Sequence, residues 1–524
     1  MLNRFFPSLK AHGLSQRWAP MPIAFGSGIL MALATAPLNW WGLAWVAIVP
    51  LWVLGQQSQG RSALLFAFLW GVGYHGLALA WITGLHPLTW MGIPWLASVG
   101  ITLSCWVAIT LWGATFVVIW QWGMQRLGWG RALHRVLIGT ALWCLLEWLW
   151  SLGALYWTSL SYTQSPGNLL ILHLGQLSGA ATVTAAIVAV NGLLAESWLT
   201  SQRAARLLCA AAIGLCLSLH GIGAVLYGRP IAQPLTEALQ VGIVQGNVPT
   251  RIKLSPAGVR RAIAGYINGY EQLATQGAEA VLTPEGAVPI MWNEATKATN
   301  PVFQSVQQTG KLLWLGTFVP QNGSITQSLL TLTPAGSGSQ FNKIKLVPLG
   351  EYLPFQSLIG GVIGRLSPLK WSMVPGTADQ RFDTPFGRAI VSICYESAFP
   401  ALFRAQAADG GQFILTASNL DPYSEVLMAQ HQAQDIMRAI ETDRWAARAT
   451  NTGYSGIVDP HGRIHWRSQP RTYQLHLATI YRRQTQTPYV AIGDWLTPLL
   501  ITAAAIASGW ELRHQRDRHT ERST

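Results

Sequence analysis

The feature that most restricts this chain is its series of apolar segments. Seven lie before residue 230, at about 21 to 38, 41 to 57, 62 to 84, 97 to 121, 132 to 149, 168 to 197 and 206 to 227, and an eighth lies at about 488 to 509. A helix needs about 20 apolar residues to cross the roughly 30 Å hydrocarbon layer of a bilayer, and each segment is that long or close to it. A backbone in lipid must satisfy its own hydrogen bonds, so these segments are expected to be eight transmembrane helices. Composition agrees: only 11% of residues are charged, against roughly 25% in soluble domains. Nineteen of the 26 tryptophans precede residue 200, where an amphipathic indole is useful at headgroup level. The turn near Pro37 and Asn39 is short, which leaves a re-entrant hairpin as the alternative for the first two segments, and a cleaved signal peptide as the alternative for residues 1 to 36.

The loop charges orient the segments. Arg4, Lys10, Arg17, Arg61, Arg126, Arg131, Arg135, Arg203, Arg206, Arg513, Arg516, Arg518 and Arg522 share one side if the spans alternate, whereas residues 85 to 96 and 150 to 167 contain no Lys or Arg. The positive-inside rule then makes both termini cytoplasmic. The formal charge of +13 is thus read as topology and contact with anionic lipid. Nucleic acid is not expected, because no basic helix or aromatic-basic strand pattern is present. The chain divides into a seven-span domain at 1–227, an extracytoplasmic region at 228–487, a last span at 488–509 and a basic cytoplasmic tail at 510–524. Glu147 and Glu196, near the ends of apolar segments, read as interfacial, with a role in a lateral opening as the alternative.

The region at 228–487 is large enough for its own core. Strands are predicted at 239 to 245, 279 to 283, 312 to 318, 326 to 333, 388 to 393, 412 to 417, 445 to 450, 455 to 459, 463 to 467 and 472 to 480. Helices are predicted at about 256 to 276, 300 to 310, 398 to 408 and 427 to 441, which is the periodicity of an α/β sandwich. Residues 353 to 376 form an irregular apolar loop, read as a buried hairpin or as a cover that touches lipid or an acyl chain.

Three residues in this region carry chemistry. Cys105, Cys144, Cys209 and Cys216 lie in apolar segments, which leaves Cys394 as the cysteine of the polar region. It ends the apolar strand Ala-Ile-Val-Ser-Ile, a position that presents sulfur at the top of a sheet, with the N–H groups of the next turn facing a developing oxyanion. An unpaired thiol in an oxidising compartment is a chemical liability, which favours a nucleophile over an inert buried side chain. Glu285 follows another strand, stiffened by Pro284 and Pro289, and can take the thiol proton and return it to a leaving group. An ammonium from Lys343 or Lys345 would favour thiolate and stabilise a tetrahedral intermediate; on a strand the two point to opposite faces, and periodicity does not choose between them.

The order of Thr-Pro-Glu-Gly-Ala-Val-Pro at 283 to 289, Lys343 before Leu-Val-Pro-Leu-Gly-Glu-Tyr-Leu-Pro, Ile-Cys-Tyr-Glu at 393 to 396 and Arg-Ala-Thr-Asn-Thr-Gly-Tyr-Ser-Gly-Ile-Val-Asp-Pro-His-Gly at 448 to 462 closely resembles the apolipoprotein N-acyltransferase family, a membrane-anchored branch of the nitrilase superfamily. The resemblance covers nearly the whole chain. It implies a polytopic α-helical membrane protein of eight spans, with a nitrilase-like αββα sandwich inserted before the last. It implies Glu285 as general base, Lys343 (rather than Lys345) as the group that assists the intermediate, and Cys394 as nucleophile, with Glu351, Tyr395 and Glu396 in support. Two departures touch the substrate pocket: Leu254 stands where the family commonly has tryptophan, and Ser418, Asn419, Leu420, Asp421, Pro422, Tyr423 and Ser424 stand where it has Ser-Asn-Asp-Ala-Trp-Phe-Gly. Leu254, Asn419 and Tyr423 are accordingly the candidate substrate-binding residues.

The implied reaction is ping-pong, from a membrane phospholipid through a Cys394 thioester to the amino group of a diacylglyceryl-cysteine apolipoprotein, by a monomer in a bacterial inner membrane with the catalytic domain in the periplasm. No cofactor or metal is expected: the sequence has no His-Glu-x-x-His motif, no Cys/His metal spacing and no Walker A loop. Two rivals remain, a hydrolase of small amides using the same three residues and a non-enzymatic membrane scaffold.

Overall fold

The computed structural model describes residues 20–352, 373–421 and 423–523, with side chains described as far as Arg513. Most of the loop at 353 to 376, and Pro422, lie outside the described residues.

The N-terminal part is helical: α1 Pro20–Leu33, α2 Val49–Gln57, α3 Arg61–Ala78, α4 Trp95–Leu127, α5 Ala132–Leu152, α6 Ala180–Leu199 and α7 Gln202–Tyr227. Among the described residues, α4 to α7 are the four helices long and apolar enough to cross a membrane. The segments expected at 21 to 38 and 41 to 57 form shorter helices joined by a 3-10 turn, Trp41–Trp45. The segment expected at 168 to 197 is not one helix. It begins as two short turns, Leu169–Leu172 and Gly175–Ser178, and α6 starts only after Gly179, whose φ of 69° breaks the helical path.

Packing in this part is close and polar in places. A Cβ on Gly28 would lie 2.1 Å from the Trp70 carbonyl oxygen, and one on Gly73 would lie 2.3 Å from that of Phe25, so α1 and α3 touch backbone to backbone. Trp52, Trp70, Trp120 and Trp143 are fully buried, and each indole N–H donates inside the bundle: to Glu196, the Ala47 carbonyl, the Gly139 carbonyl and Glu147. Glu147 and Glu196 are buried among these helices as well. Glu196 pairs with Arg135 and accepts from Trp52 at 3.0 Å. Glu147 accepts from Ser159 Oγ, Thr184 Oγ1 and the Leu160 N–H at 2.8 to 2.9 Å. Buried carboxylates persist only with such partners.

Among the described residues, the second part contains two six-stranded sheets. The first has the order β12-β1-β2-β3-β4-β5, from β1 Ala238–Gln245, β2 Ala280–Leu282, β3 Leu312–Gln321, β4 Ser324–Thr333, β5 Gly336–Asn342 and β12 Gln474–Tyr481. The second has the order β11-β10-β9-β8-β7-β6, from β6 Phe382–Thr384, β7 Gly387–Ile393, β8 Phe413–Ser418, β9 Ala446–Thr450, β10 Gly456–Val458 and β11 Ile464–Arg467. Strands β1 to β3 are parallel, as are β7 to β9. Alternation along each strand builds the layers. Val241, Ile243, Trp314, Leu415 and Ala447 meet between the sheets, whereas Val244, Val281, Leu313 and Leu315 face the helices α8 Pro256–Thr275 and α9 Pro301–Thr309. On the far side, Ile390, Ile414 and Val458 join the helices α10 Pro400–Ala408 and α11 Glu425–Thr442 in the same apolar cluster as the N-terminal helices. This αββα sandwich therefore docks on the helical part through its own outer helix layer. The chain ends in α12, Leu496–Ser523, which runs through both the expected last span and the expected tail; Gly493 (φ 83°) separates it from a short turn, Pro488–Ile492.

Candidate active site

The carboxyl ends of parallel strands from both sheets open on one place, where loops are free to carry chemistry. Glu285 follows β2, Cys394 follows β7, and Lys343 directly follows β5. Strand β5 ends at Asn342, so the alternation that would set Lys343 and Lys345 on opposite faces of a strand does not apply. Distance does. Lys343 Nζ lies 2.7 Å from Glu285 Oε1 and 2.5 Å from Glu351 Oε1 with no solvent exposure, whereas Lys345 reaches outward, 4.6 Å above the Phe399 ring.

Glu285 is held from a second side as well. Its Oε2 accepts from the Asn419 N–H at 3.0 Å, and the Asn419 carbonyl is in turn the acceptor for Cys394 Sγ at 3.9 Å. Carboxylate and thiol thus meet at one residue. Cys394 has φ of 54°, in the left-handed region that costs a non-glycine residue about 1 to 3 kcal/mol and persists only where its surroundings impose it. Glu396 supplies that constraint: it accepts from the Ile393 N–H at 2.7 Å and from the Ile344 and Lys345 N–H groups at 2.5 and 3.2 Å. One carboxylate therefore ties the cysteine turn to the lysine loop.

The electrostatics follow from burial. Burial pushes the Cys394 thiol up, and Glu285 adds to this while Lys343 opposes it, so the resting side chain is a neutral thiol that needs a base during attack. Burial pulls Lys343 down, but Glu285 and Glu351 outweigh it and hold the ammonium well above the ordinary lysine range. Glu396 is pushed up to about 7 by burial, against the pull of its backbone donors.

Such a strained thiol beside a carboxylate and an ammonium can form a covalent acyl intermediate. Residues 27–193 match the apolipoprotein N-acyltransferase N-terminal domain, and residues 240–488 match the carbon-nitrogen hydrolases. A relative from Nostoc sp., named apolipoprotein N-acyltransferase, is 54% identical over 490 residues, which span 92% of this chain and 97% of that one. This chain belongs to the apolipoprotein N-acyltransferase family. A Synechocystis sp. relative of the same name is 45% identical over 514 residues, 91% of this chain and 98% of that one. Among solved structures, a mutant amidase of Nesterenkonia AN1 from the nitrilase superfamily aligns with 16% identity and a TM-score of 0.37, over 51% of this chain and 97% of that one.

Within this member of the family the remaining expected residues separate. Tyr395 turns away from the thiol: its hydroxyl donates to the Ala154 carbonyl at 2.7 Å and accepts from the Tyr156 N–H at 3.1 Å, which fastens the cysteine turn to the loop after α5. Tyr423 packs edge-on against Trp81, 5.3 Å between ring centroids. Leu254 is half exposed at the end of the turn Thr250–Lys253. Sequence reasoning missed Asn451, which exchanges hydrogen bonds with Val248 and donates to Asn419 Oδ1 at 3.0 Å, although it stands in the quoted Arg-Ala-Thr-Asn motif. It also missed Lys253, buried beside Glu285.

Proposed function

We propose that this chain moves a fatty acyl group from a membrane phospholipid to the N-terminal amine of a diacylglyceryl-modified apolipoprotein, through a thioester on Cys394. Cys394 Sγ attacks the ester carbonyl as Glu285 takes the thiol proton, and Lys343 donates to the oxygen that becomes anionic. Collapse breaks the ester C–O bond, and Glu285 returns the proton to the departing lysophospholipid oxygen. The acceptor amine then attacks the thioester, Glu285 accepts its proton, and the sulfur leaves and is reprotonated. The observation that carries this reading is the shared contact at Asn419, which brings Glu285 Oε2 (3.0 Å to its N–H) and Cys394 Sγ (3.9 Å to its carbonyl) to one point. Glu351, Tyr395 and Glu396 hold Lys343 and the cysteine turn; Leu254, Asn419 and Tyr423 contact substrate.

The test is mass spectrometry of the purified enzyme mixed with phospholipid alone. The Cys394 peptide gains one fatty-acyl mass as a hydroxylamine-labile adduct, a diacylated lipopeptide discharges it as an amide, and Cys394→Ala gains nothing. An adduct that yields only free fatty acid in the presence of acceptor supports the hydrolase reading instead, and full transfer by Cys394→Ala refutes the mechanism.

The proposed setting is the bacterial inner membrane, crossed eight times by a monomer. Residues 1–227 hold seven spans, 228–487 form the periplasmic catalytic domain, 488–509 form the last span, and 510–524 and the N-terminus face the cytoplasm. The one-sided distribution of Lys and Arg supports this orientation.

A further inference from the structure

Lys253 has no part in the reaction as described, yet it is almost fully buried, at 4% exposure. A lysine rarely enters a protein interior without a partner that repays its desolvation. Here the partner is the base itself: Lys253 Nζ donates to the main-chain carbonyl of Glu285 at 3.1 Å. The Glu285 carboxylate points elsewhere, to Lys343 and to the Asn419 N–H. Glu285 is thus gripped through its peptide by one ammonium and through its side chain by another.

The approach of Lys253 is built into the fold. Its turn, Thr250–Lys253, is closed by the Ile252 and Lys253 N–H groups on the Pro249 carbonyl, both at 3.0 Å. The Thr250 N–H donates to Asp421 Oδ2 at 2.5 Å, which ties the turn to the loop after β8. Helix α8 presses on it from outside, because a Cβ on Gly258 would lie 1.8 Å from the Ile252 carbonyl oxygen. The residue after the base is Gly286, at φ 53°, and a Cβ there would stand 3.4 Å from Lys253 Nζ.

Charge points the same way. Glu285 and Glu351 contribute two carboxylates to a buried site in which Lys343 contributes one ammonium. A second cation offsets part of this negative charge, and a buried cluster with an uncompensated charge is strongly destabilised.

We propose that Lys253 is a positioning residue of the acyl-transfer reaction: its ammonium fixes the Glu285 peptide so that the carboxylate stays aimed at the Cys394 thiol, and it offsets part of the negative charge around that base. The proposal rests on the reaction assigned above. The charged and titratable groups that face Lys253 are Glu285, Asp421 and Cys394; burial lowers it to about 8, against the two carboxylates and against the cysteine whenever it is a thiolate. Its charge is therefore present at neutral pH and lost as pH rises through about 8.

The experiment measures acyl loading of Cys394 by intact mass in the full-length wild type, K253M and K253R, with phospholipid vesicles as donor, between pH 6.5 and 9.5. Loss of a charge-assisted hydrogen bond slows K253M loading roughly ten- to a hundredfold at pH 7, with the phospholipid KM unchanged because Lys253 holds the base and not the lipid. Wild-type loading falls above about pH 8, whereas K253R, charged throughout, shows no fall there. K253M loading within threefold of wild type overturns the proposal. So does a wild type with no alkaline fall, or a fall at the same pH in K253R, and these two outcomes decide the matter even if K253M does not fold. A wild type that never acquires the adduct would instead remove the assigned reaction, and this role with it.

Discussion

The two lysines that strand periodicity could not separate offer the sharpest test of the site. Lys343→Met keeps the aliphatic stem and removes a charge that sits, with no solvent exposure, 2.7 Å from Glu285 and 2.5 Å from Glu351. Two energies follow. Removing one partner of a buried ion pair costs about 3 to 5 kcal/mol, here because two carboxylates are left facing each other. Removing a donor from a developing oxyanion costs about 3 to 4 kcal/mol in the barrier, a few hundred-fold in rate. Melting in lipid-detergent micelles reads the first, and the rate at which phospholipid loads Cys394 reads the second. The double variant K343M/E351Q separates them, because it removes one facing carboxylate: it regains stability over K343M but not loading. Lys345→Met loses a partly exposed cation-π contact at 4.6 Å from Phe399 and a long hydrogen bond to the Leu152 carbonyl at 3.4 Å, each worth about 0.5 to 1 kcal/mol and both away from the reacting groups, so loading changes at most a few-fold. Equal losses at the two lysines, or K343M loading within tenfold of wild type, would refute the geometry on which the argument stands.

Two further predictions concern the cysteine turn and the orientation of the domain. Glu396 is raised from 4.5 to about 7, so its contribution to stability is fully present below pH 4.5 and is lost as pH rises through 7, about 3 kcal/mol in all. The stability difference between wild type and E396Q therefore changes over that window, and a difference that stays flat between pH 4.5 and 8 counts against a buried, titrating carboxylate. Reporter fusions after residue 240 report export and fusions after residue 515 report the cytoplasm; a cytoplasmic signal at the first position would overturn the proposed orientation.

What the sequence made legible, and what it did not, divides by the range of the interaction. The strands of the sandwich were readable because each is a short apolar run with local boundaries, and β1, β7 and β8 fall within a residue of expectation. Glu285 and Cys394 were readable for the same reason, as polar residues at the ends of such runs. The edge strands β5 and β6 were missed because Gly-Ser-Gly-Ser and Phe-Asp-Thr have no apolar alternation and are fixed by their neighbours. Lys253 was missed because, next to exposed Arg251, it reads as a solvated cation until α8 and the Glu285 turn close around it.

The helical part shows the same limit from the other direction. Hydropathy measures the transfer of a side chain out of water and is indifferent to whether lipid or protein receives it. Trp52 and Trp143 therefore looked like headgroup residues, although their N–H groups are satisfied by Glu196 and Glu147 inside the bundle. Those glutamates looked interfacial because they lie near segment ends, and only the arrival of Arg135, Ser159 and Thr184 from elsewhere in the chain makes their burial tolerable. The break at Gly179 is likewise decided at long range. Ser178 just before it donates to Asp494 and accepts from the Leu496 N–H, so the point where one apolar segment stops being a turn and becomes α6 is bonded to the point where the chain re-enters α12. An apolar run of sufficient length records which solvent a segment prefers; where its helices start and stop is set by the few polar groups that must find each other within it.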